Sequence, residues 1–73
     1  NIAPLGFRYL DGRMIPDAEE QRGLVILREC AAVGLGARRA LSVLHARRYT
    51  GRQSLKCVWN ALERLKNDQT LLH

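Results

Sequence analysis

The sequence predicts a mostly α-helical domain, with a three-helix, helix-turn-helix-like bundle preceded by a short β-hairpin. Three observations support this fold class: apolar residues recur at helical spacing, an Asp-Gly pair separates two short apolar runs, and glycines interrupt the helical pattern. A chain of 73 residues is long enough for one domain only. The predicted domain covers residues 1–66, and residues 67–73 are expected to form a frayed tail. Within the domain, the hairpin is predicted at 7–15, helix 1 at 18–33, helix 2 at 37–47 and helix 3 at 54–66.

Local signals place the hairpin and the start of helix 1. Asp11-Gly12 favours a two-residue turn, because glycine adopts a positive φ without steric cost. Pro16 ends the hairpin, Asp17 is the expected N-cap of helix 1, and Glu20 three residues later completes a capping-box pattern. The predicted buried side of helix 1 consists of Leu24, Leu27, Cys30 and Ala31, widened by Val25, Ile26 and Val33.

Two glycines and a serine set the bounds of helices 2 and 3. Gly34 is expected to end helix 1 in the left-handed conformation, and Gly36 to serve as the N-cap of helix 2. Ser54 is the expected N-cap of helix 3. The predicted apolar faces are Ala37, Ala40, Leu41 and Leu44 in helix 2, and Leu55, Val58, Trp59, Leu62 and Leu65 in helix 3.

The positive charge is concentrated in the second half of the chain. Residues 1–33 hold four arginines against five carboxylates, a net charge of −1, whereas residues 34–66 hold eight basic residues against Glu63, a net charge of +7. Asp68 brings the total to +5. This asymmetry is typical of proteins that bind polyanions. The alternative is a basic surface that only keeps the domain soluble.

Composition indicates the compartment. Cys30 and Cys57 lie inside helical patterns rather than at the spacing of a disulfide framework, so we expect both to be reduced and the protein to be cytoplasmic. No apolar run approaches the ~20 residues that span a bilayer, so we expect no membrane partner.

The residues needed for catalysis or metal binding are sparse. Glu19 and Glu20 are adjacent and point in different directions on a helix, so they cannot form a facing acid and base pair. Cys30, His45, Cys57 and His73 include no close pair of the kind that zinc sites use, and His45 is expected at the surface. We therefore expect no catalytic residue, no metal and no cofactor within these 73 residues.

Helix 3 carries polar residues suited to a DNA base edge. Lys56, Asn60 and Arg64 are spaced by four and share one side. Lysine and arginine bind guanine O6 and N7, and asparagine or glutamine binds adenine N6 and N7. The alternative is a helix surface made polar for solubility. We predict base contacts from Gln53, Lys56 and Asn60, and phosphate contacts from Arg38, Arg39, Arg47, Arg48, Arg52, Ser54 and Arg64.

Duplex DNA fits this composition better than single strands. Tyr49 and Trp59 could stack on unpaired bases, but Trp59 lies among the apolar positions of helix 3 and is expected in the core. Aromatic residues make up only 5% of the chain, which is few for a stacking surface. We therefore expect double-stranded DNA as the partner.

Residues 3–65 also resemble the recombinase domain that follows the catalytic domain in serine recombinases, namely resolvases, invertases and large integrases. The matching features are Pro4-Leu5-Gly6-Phe7, Asp11-Gly12-Arg13, Pro16-Asp17 with Glu20, the Ala-Ala-Val-Gly-Leu break at 31–35, and the 40–44 helix before a basic loop.

The resemblance implies a DNA-binding segment that places a site-specific recombinase on its target, with helix 3 in the major groove. The nucleophilic serine of that family belongs to a separate N-terminal domain, so no catalytic residue is assigned here, and any homodimer contacts are expected outside this chain. Two alternatives remain: a stand-alone helix-turn-helix transcriptional regulator, and a helical protein-interaction module that binds an acidic partner.

Overall fold

Two short strands precede three helices in the computed structural model, which describes the backbone of residues 2–71 and the side chains of residues 2–67. This architecture confirms the predicted fold class. The elements are β1 (Phe7–Leu10), β2 (Arg13–Pro16), α1 (Ala18–Ala32), α2 (Ala37–Ala46) and α3 (Leu55–Leu71).

The hairpin forms around the predicted turn. β1 and β2 pair antiparallel, with Leu10 opposite Arg13 and Phe7 opposite Pro16. Asp11 and Gly12 have φ values of 51° and 76°, and positive φ at both central residues matches the right-handed twist of the strands. Pro16 is the last residue of β2, a position that tolerates its missing N–H.

The N-cap of α1 forms as predicted, but the capping box does not. The Asp17 carboxylate accepts the N–H of Glu20 at 3.0 Å. The reciprocal bond is absent because the N–H of Asp17 donates to the carbonyl oxygen of Gly6, at 3.0 Å. The Glu20 carboxylate instead accepts the N–H of Gly6 and binds Arg52, so Glu20 joins distant parts of the chain rather than capping its own helix.

Helices α1 and α2 both end in a Schellman motif. At the end of α1, Gly34 has φ 78°, and its N–H and that of Leu35 donate to the carbonyls of Ala31 and Cys30. This confirms the predicted role of Gly34. At the end of α2, Arg48 takes the same left-handed position, with φ 58°. Gly36 is the N-cap of α2, as predicted.

Helix α3 begins as predicted and continues farther than predicted. The Ser54 hydroxyl accepts the N–H of Cys57 at 3.2 Å, which confirms the expected cap. The predicted end at Lys66 is wrong, because the helix continues to Leu71. No glycine or proline follows Lys66, and the polar residues there disfavour a helix only weakly. Residues 72–73 of the predicted tail lie outside the described residues.

The core lies between the three helices. Leu27 from α1, Leu44 from α2, and Val58 and Leu62 from α3 are fully buried at its centre. The other predicted core residues that are buried are Ile26, Cys30, Ala31 and Ala40, and Leu24, Ala37, Leu41 and Leu65 are partly buried against them.

Four residues predicted in the core are exposed. Val25 and Val33 on α1 are 51% and 73% exposed, and Leu55 and Trp59 on α3 are 41% and 54% exposed. On α3 the buried side is centred on Val58, Ala61 and Leu62, so positions 55 and 59 are rotated out of the core. The prediction that Trp59 is a core residue is therefore wrong.

None of the helices within residues 2–71 combines the length and the apolar character that crossing a membrane requires.

Candidate nucleic-acid interface

The connection between α2 and α3 is held in place by the first turn of α1. Glu19 and Arg22 form a salt bridge of 2.7 Å, and Arg22 also donates to the carbonyl oxygens of Arg47 and Arg48, each at 3.1 Å. Glu19 in turn accepts the N–H of Thr50 at 2.7 Å and its hydroxyl at 3.0 Å. The bonds from Arg22 and from Thr50 lower the pKa of Glu19 to about 2.

A second pair ties the same connection to the N-terminal segment. The guanidinium of Arg52 binds both oxygens of Glu20 at 2.7 Å, in bidentate geometry. It also donates to the carbonyl oxygens of Ala3, Pro4 and Phe7, at 2.8 to 3.0 Å. The bond to Arg52 is the main reason that the pKa of Glu20 is lowered.

These bonds give Arg52 a structural role that the sequence did not indicate. Each of its three side-chain nitrogens donates within the protein. Because most of its N–H groups already donate to acceptors in the protein, Arg52 is poorly placed for the predicted phosphate contact.

Tyr49 forms the inner side of the connection. It is buried, and its hydroxyl donates to the carbonyl oxygen of Arg52 at 2.9 Å. A Cβ at Gly23 would lie 2.5 Å from Cε1 of the ring, and the ring also contacts Gly51. Tyr49 is therefore unavailable for stacking on bases. The glycine inside helix 1 was the sequence signal for this close approach.

Gln53 and Ser54 lie where the connection meets α3. The Gln53 side-chain amide donates to the carbonyl oxygens of Tyr49 and Gly51, at 3.3 and 3.2 Å. Ser54 uses its hydroxyl oxygen as the cap of α3. Both residues line a groove beside α3, and the Gln53 amide nitrogen and the Ser54 hydroxyl oxygen already form local hydrogen bonds.

A groove of about 970 Å³ separates α3 from the N-terminal segment. One wall is formed by residues 2–5, and the other carries Lys56, Asn60 and Arg64. The structure thus brings together the three residues that the helical spacing predicted to share a side. Glu63, the one carboxylate of residues 34–66, lines the same groove.

A smaller notch lies between the first turns of α2 and α3. It is lined by Ala37, Arg38, Leu55, Lys56 and Trp59. Lys56 lines both the groove and the notch, so one continuous surface runs from Arg38 through Lys56 to Asn60 and Arg64. We call these four residues the polar face, and the neighbouring Leu55 and Trp59 the apolar pair.

The cations of the polar face form no ion pair with any side chain that the structure describes. Among the side chains described, no carboxylate lies within 4.0 Å of Arg38, Lys56 or Arg64. The same is true of the exposed Arg39 and Arg48. The carboxylates of α1 are used elsewhere, at Arg22, Arg47 and Arg52.

Three predicted phosphate contacts lie away from the polar face. Arg47 and Arg48 follow the last turn of α2, whereas Arg38 is in its first turn, so about 13 Å along the helix axis separates Arg38 from Arg47. Arg47 also lies 3.7 Å from Glu29. Arg39 is exposed on α2 but lines neither the groove nor the notch.

Comparisons with protein families, with curated proteins and with solved structures gave no match to this chain. The resemblance to serine recombinases therefore remains an expectation.

Proposed function

We propose that this chain binds double-stranded DNA in a sequence-specific manner through α2 and α3, as the DNA-binding segment of a site-specific serine recombinase. The observation that carries the proposal is the continuity of the polar face, in which three cations and an asparagine share one surface and no described carboxylate pairs with the cations. The recombinase assignment is supported by the sequence resemblance alone.

The residue types of the polar face suit contacts to both bases and phosphates. Lys56 and Asn60 lie in the first two turns of α3, the part of a recognition helix that meets base edges in the major groove. Lys56 is suited to guanine O6 and N7, and Asn60 to adenine N6 and N7. Arg38 and Arg64, at the two ends of the surface, are suited to phosphates on either side of the groove.

The hydrogen-bonded connection between α2 and α3 supports this function because it fixes the position of α3 in the absence of DNA. Eight residues, 47–54, join α2 to α3, which is longer than the three or four residues of a compact helix-turn-helix turn. The bonds from Glu19, Arg22 and Arg52 order this longer connection. A fixed recognition helix loses less conformational entropy on binding.

Fluorescence anisotropy with labelled duplexes tests the proposal. Affinity for random duplex should fall as salt is raised, with a slope of log K against log salt of about −2 if Arg38 and Arg64 each bind a phosphate. Lys56→Gln should weaken binding, whereas Arg28→Gln, which removes an exposed arginine from α1, should not. Asn60→Ala should narrow the difference between a selected duplex and random duplex. Absence of binding to any duplex at low salt would overturn the proposal.

The apolar pair favours a second candidate, a module that binds an acidic protein. An exposed tryptophan flanked by Arg38 and Lys56 has the composition of a protein-interaction hot spot. A partner protein that competes with duplex DNA for the Lys56 surface would support this alternative.

The third candidate, a stand-alone transcriptional regulator, uses the same polar face. A catalytic recombinase domain encoded upstream of Asn1 would exclude it.

A further inference from the structure

Leu55 and Trp59 are exposed and belong neither to the core cluster nor to the residues packed against it. Val58 and Leu62 make the central core contacts of this helix. The apolar pair lies one helical turn apart, so the two side chains are neighbours on the surface. Isolated exposed apolar residues need no explanation, but this pair lines a notch together with Arg38 and Lys56, neither of which forms an ion pair with a described side chain.

We propose that Leu55 and Trp59 bind the 5-methyl group of a thymine in the major groove, on a base pair next to the one that Lys56 contacts. The inference rests on the proposed DNA binding and adds the chemical group that the apolar pair recognises. Among the four unmodified bases, only thymine presents a methyl group in the major groove, and apolar side chains are its usual contacts.

The spacing of these residues agrees with the spacing of base pairs. Residues 55 to 60 of α3 extend about 7.5 Å along the helix axis. Base pairs are stacked about 3.4 Å apart. The length that carries Leu55, Lys56, Trp59 and Asn60 can therefore reach two or three adjacent base pairs. The apolar pair and the polar residues then read neighbouring positions.

The flanking charges favour a nucleic-acid occupant over an uncharged one. Arg38 of α2 and Lys56 of α3 both line the notch, so an apolar group bound there fits a molecule that also carries negative charge. A base edge between two phosphate backbones meets this description. An acidic, amphipathic peptide also meets it, and the experiment below separates the two.

The test removes single methyl groups from the DNA. A preferred duplex is first selected from a random library with the wild-type chain, and each thymine is then replaced singly by uracil. At one position the replacement should lower wild-type affinity about fourfold, the ratio expected for one buried methyl group. Leu55→Ala and Trp59→Ala should each reduce that loss to less than twofold. At the same position, 5-methylcytosine should bind more tightly than cytosine.

Val33→Ala is the matched control, because Val33 is an apolar residue 73% exposed at the end of α1. It should keep the full uracil effect. Trp59 is the only tryptophan in the chain, so its fluorescence reports directly on the notch. Its emission should change on addition of the thymine duplex, and less on addition of the uracil duplex. Thermal unfolding of each variant establishes that the fold is retained.

The inference and the proposed function fail in different ways. If no uracil substitution changes the affinity of the wild type, the proposed methyl contact is wrong, although DNA binding stands. The same conclusion follows if the thymine-to-uracil replacement lowers the affinity of the alanine variants as much as that of the wild type. If an acidic peptide binds and is lost in Trp59→Ala while DNA affinity is unchanged, the apolar pair is a protein site and the inference is overturned. If no duplex binds at all, both are wrong.

Discussion

Two groups of basic residues in this small domain have opposite surroundings. Arg22, on α1 itself, and Arg52, before α3, are bound at 2.7 Å by Glu19 and Glu20 in the first turn of α1. Arg38, Lys56 and Arg64 lie on the polar face and have no carboxylate within 4.0 Å among the described side chains. The two groups are indistinguishable in a count of charges, and only the position of the α1 carboxylates separates them.

The difference teaches which arginines hold the fold and which are available to a partner. A guanidinium bound to a carboxylate and to several carbonyls, as Arg52 is, cannot be removed without leaving those acceptors unpaired. An exposed cation without a partner contributes little to stability and keeps its charge for a ligand. Stability and DNA affinity should therefore respond to different substitutions.

Removing Arg52 should cause the largest change in the stability of the fold. Arg52→Ala leaves the Glu20 carboxylate, only 8% exposed, and three carbonyl oxygens without their donor. We expect a loss of about 3 kcal/mol in the free energy of unfolding, measured by urea denaturation. Arg64→Ala, on the polar face, is the matched control and should change it by less than about 0.5 kcal/mol. Equal losses from the two variants would contradict the division.

Acidification should reduce the stability that the paired carboxylates Glu19 and Glu20 contribute to the fold. The pKa of Glu19 is lowered from 4.5 to about 2, and that of Glu20 is also lowered, so both carboxylates bind protons more weakly in the folded state. The contribution of Glu19 to stability is therefore complete above about pH 4.5 and is lost as the pH falls from there toward 2, and that of Glu20 is likewise lost on acidification below its ordinary pKa.

Urea denaturation at a series of pH values checks this dependence. Glu19→Gln should be less stable than the wild type at pH 7 and should lose less stability on acidification. Glu63→Gln is the control, because Glu63 forms no ion pair within 4.0 Å among the described residues. If Glu19→Gln and the wild type lost stability in parallel, the assignment of Glu19 would be wrong.

The smallest expected effect concerns the left-handed residue after α2. Arg48 has φ 58°, a conformation that costs about 1 to 2 kcal/mol in a residue with a side chain and little in glycine. Arg48→Gly relieves this strain but makes the unfolded chain more flexible, so we expect a net gain of about 0.5 kcal/mol.

The comparison at the end of α1 provides the control for that substitution. Gly34 occupies the same position of the same motif with φ 78°. Gly34→Ala should therefore destabilise by about 1 kcal/mol, which is opposite in sign to Arg48→Gly. Thermal unfolding measures the stability change of each variant. Two changes of the same sign would show that the left-handed conformation does not determine the effect of substitutions at these two positions.

The amino-acid sequence determined the features that depend on near neighbours. Asp11-Gly12 specified the hairpin turn, Asp17 and Ser54 capped their helices, and Gly34 ended α1. Each of these interactions joins residues only a few positions apart, so residue types and spacing are sufficient to predict them. The helical spacing of Leu27, Leu44, Val58 and Leu62 predicted the centre of the core for the same reason.

Only the tertiary structure decided which partners distant side chains find. Arg52 and Glu20 are 32 positions apart, so their pairing depends on how α1 packs against the connection before α3. Trp59 looked like a core residue because helical spacing gives the periodicity of a face but not its exact orientation toward the other helices. The burial of Tyr49 against Gly23 and the exposure of Trp59 therefore exchanged the roles that the sequence suggested for the two aromatics.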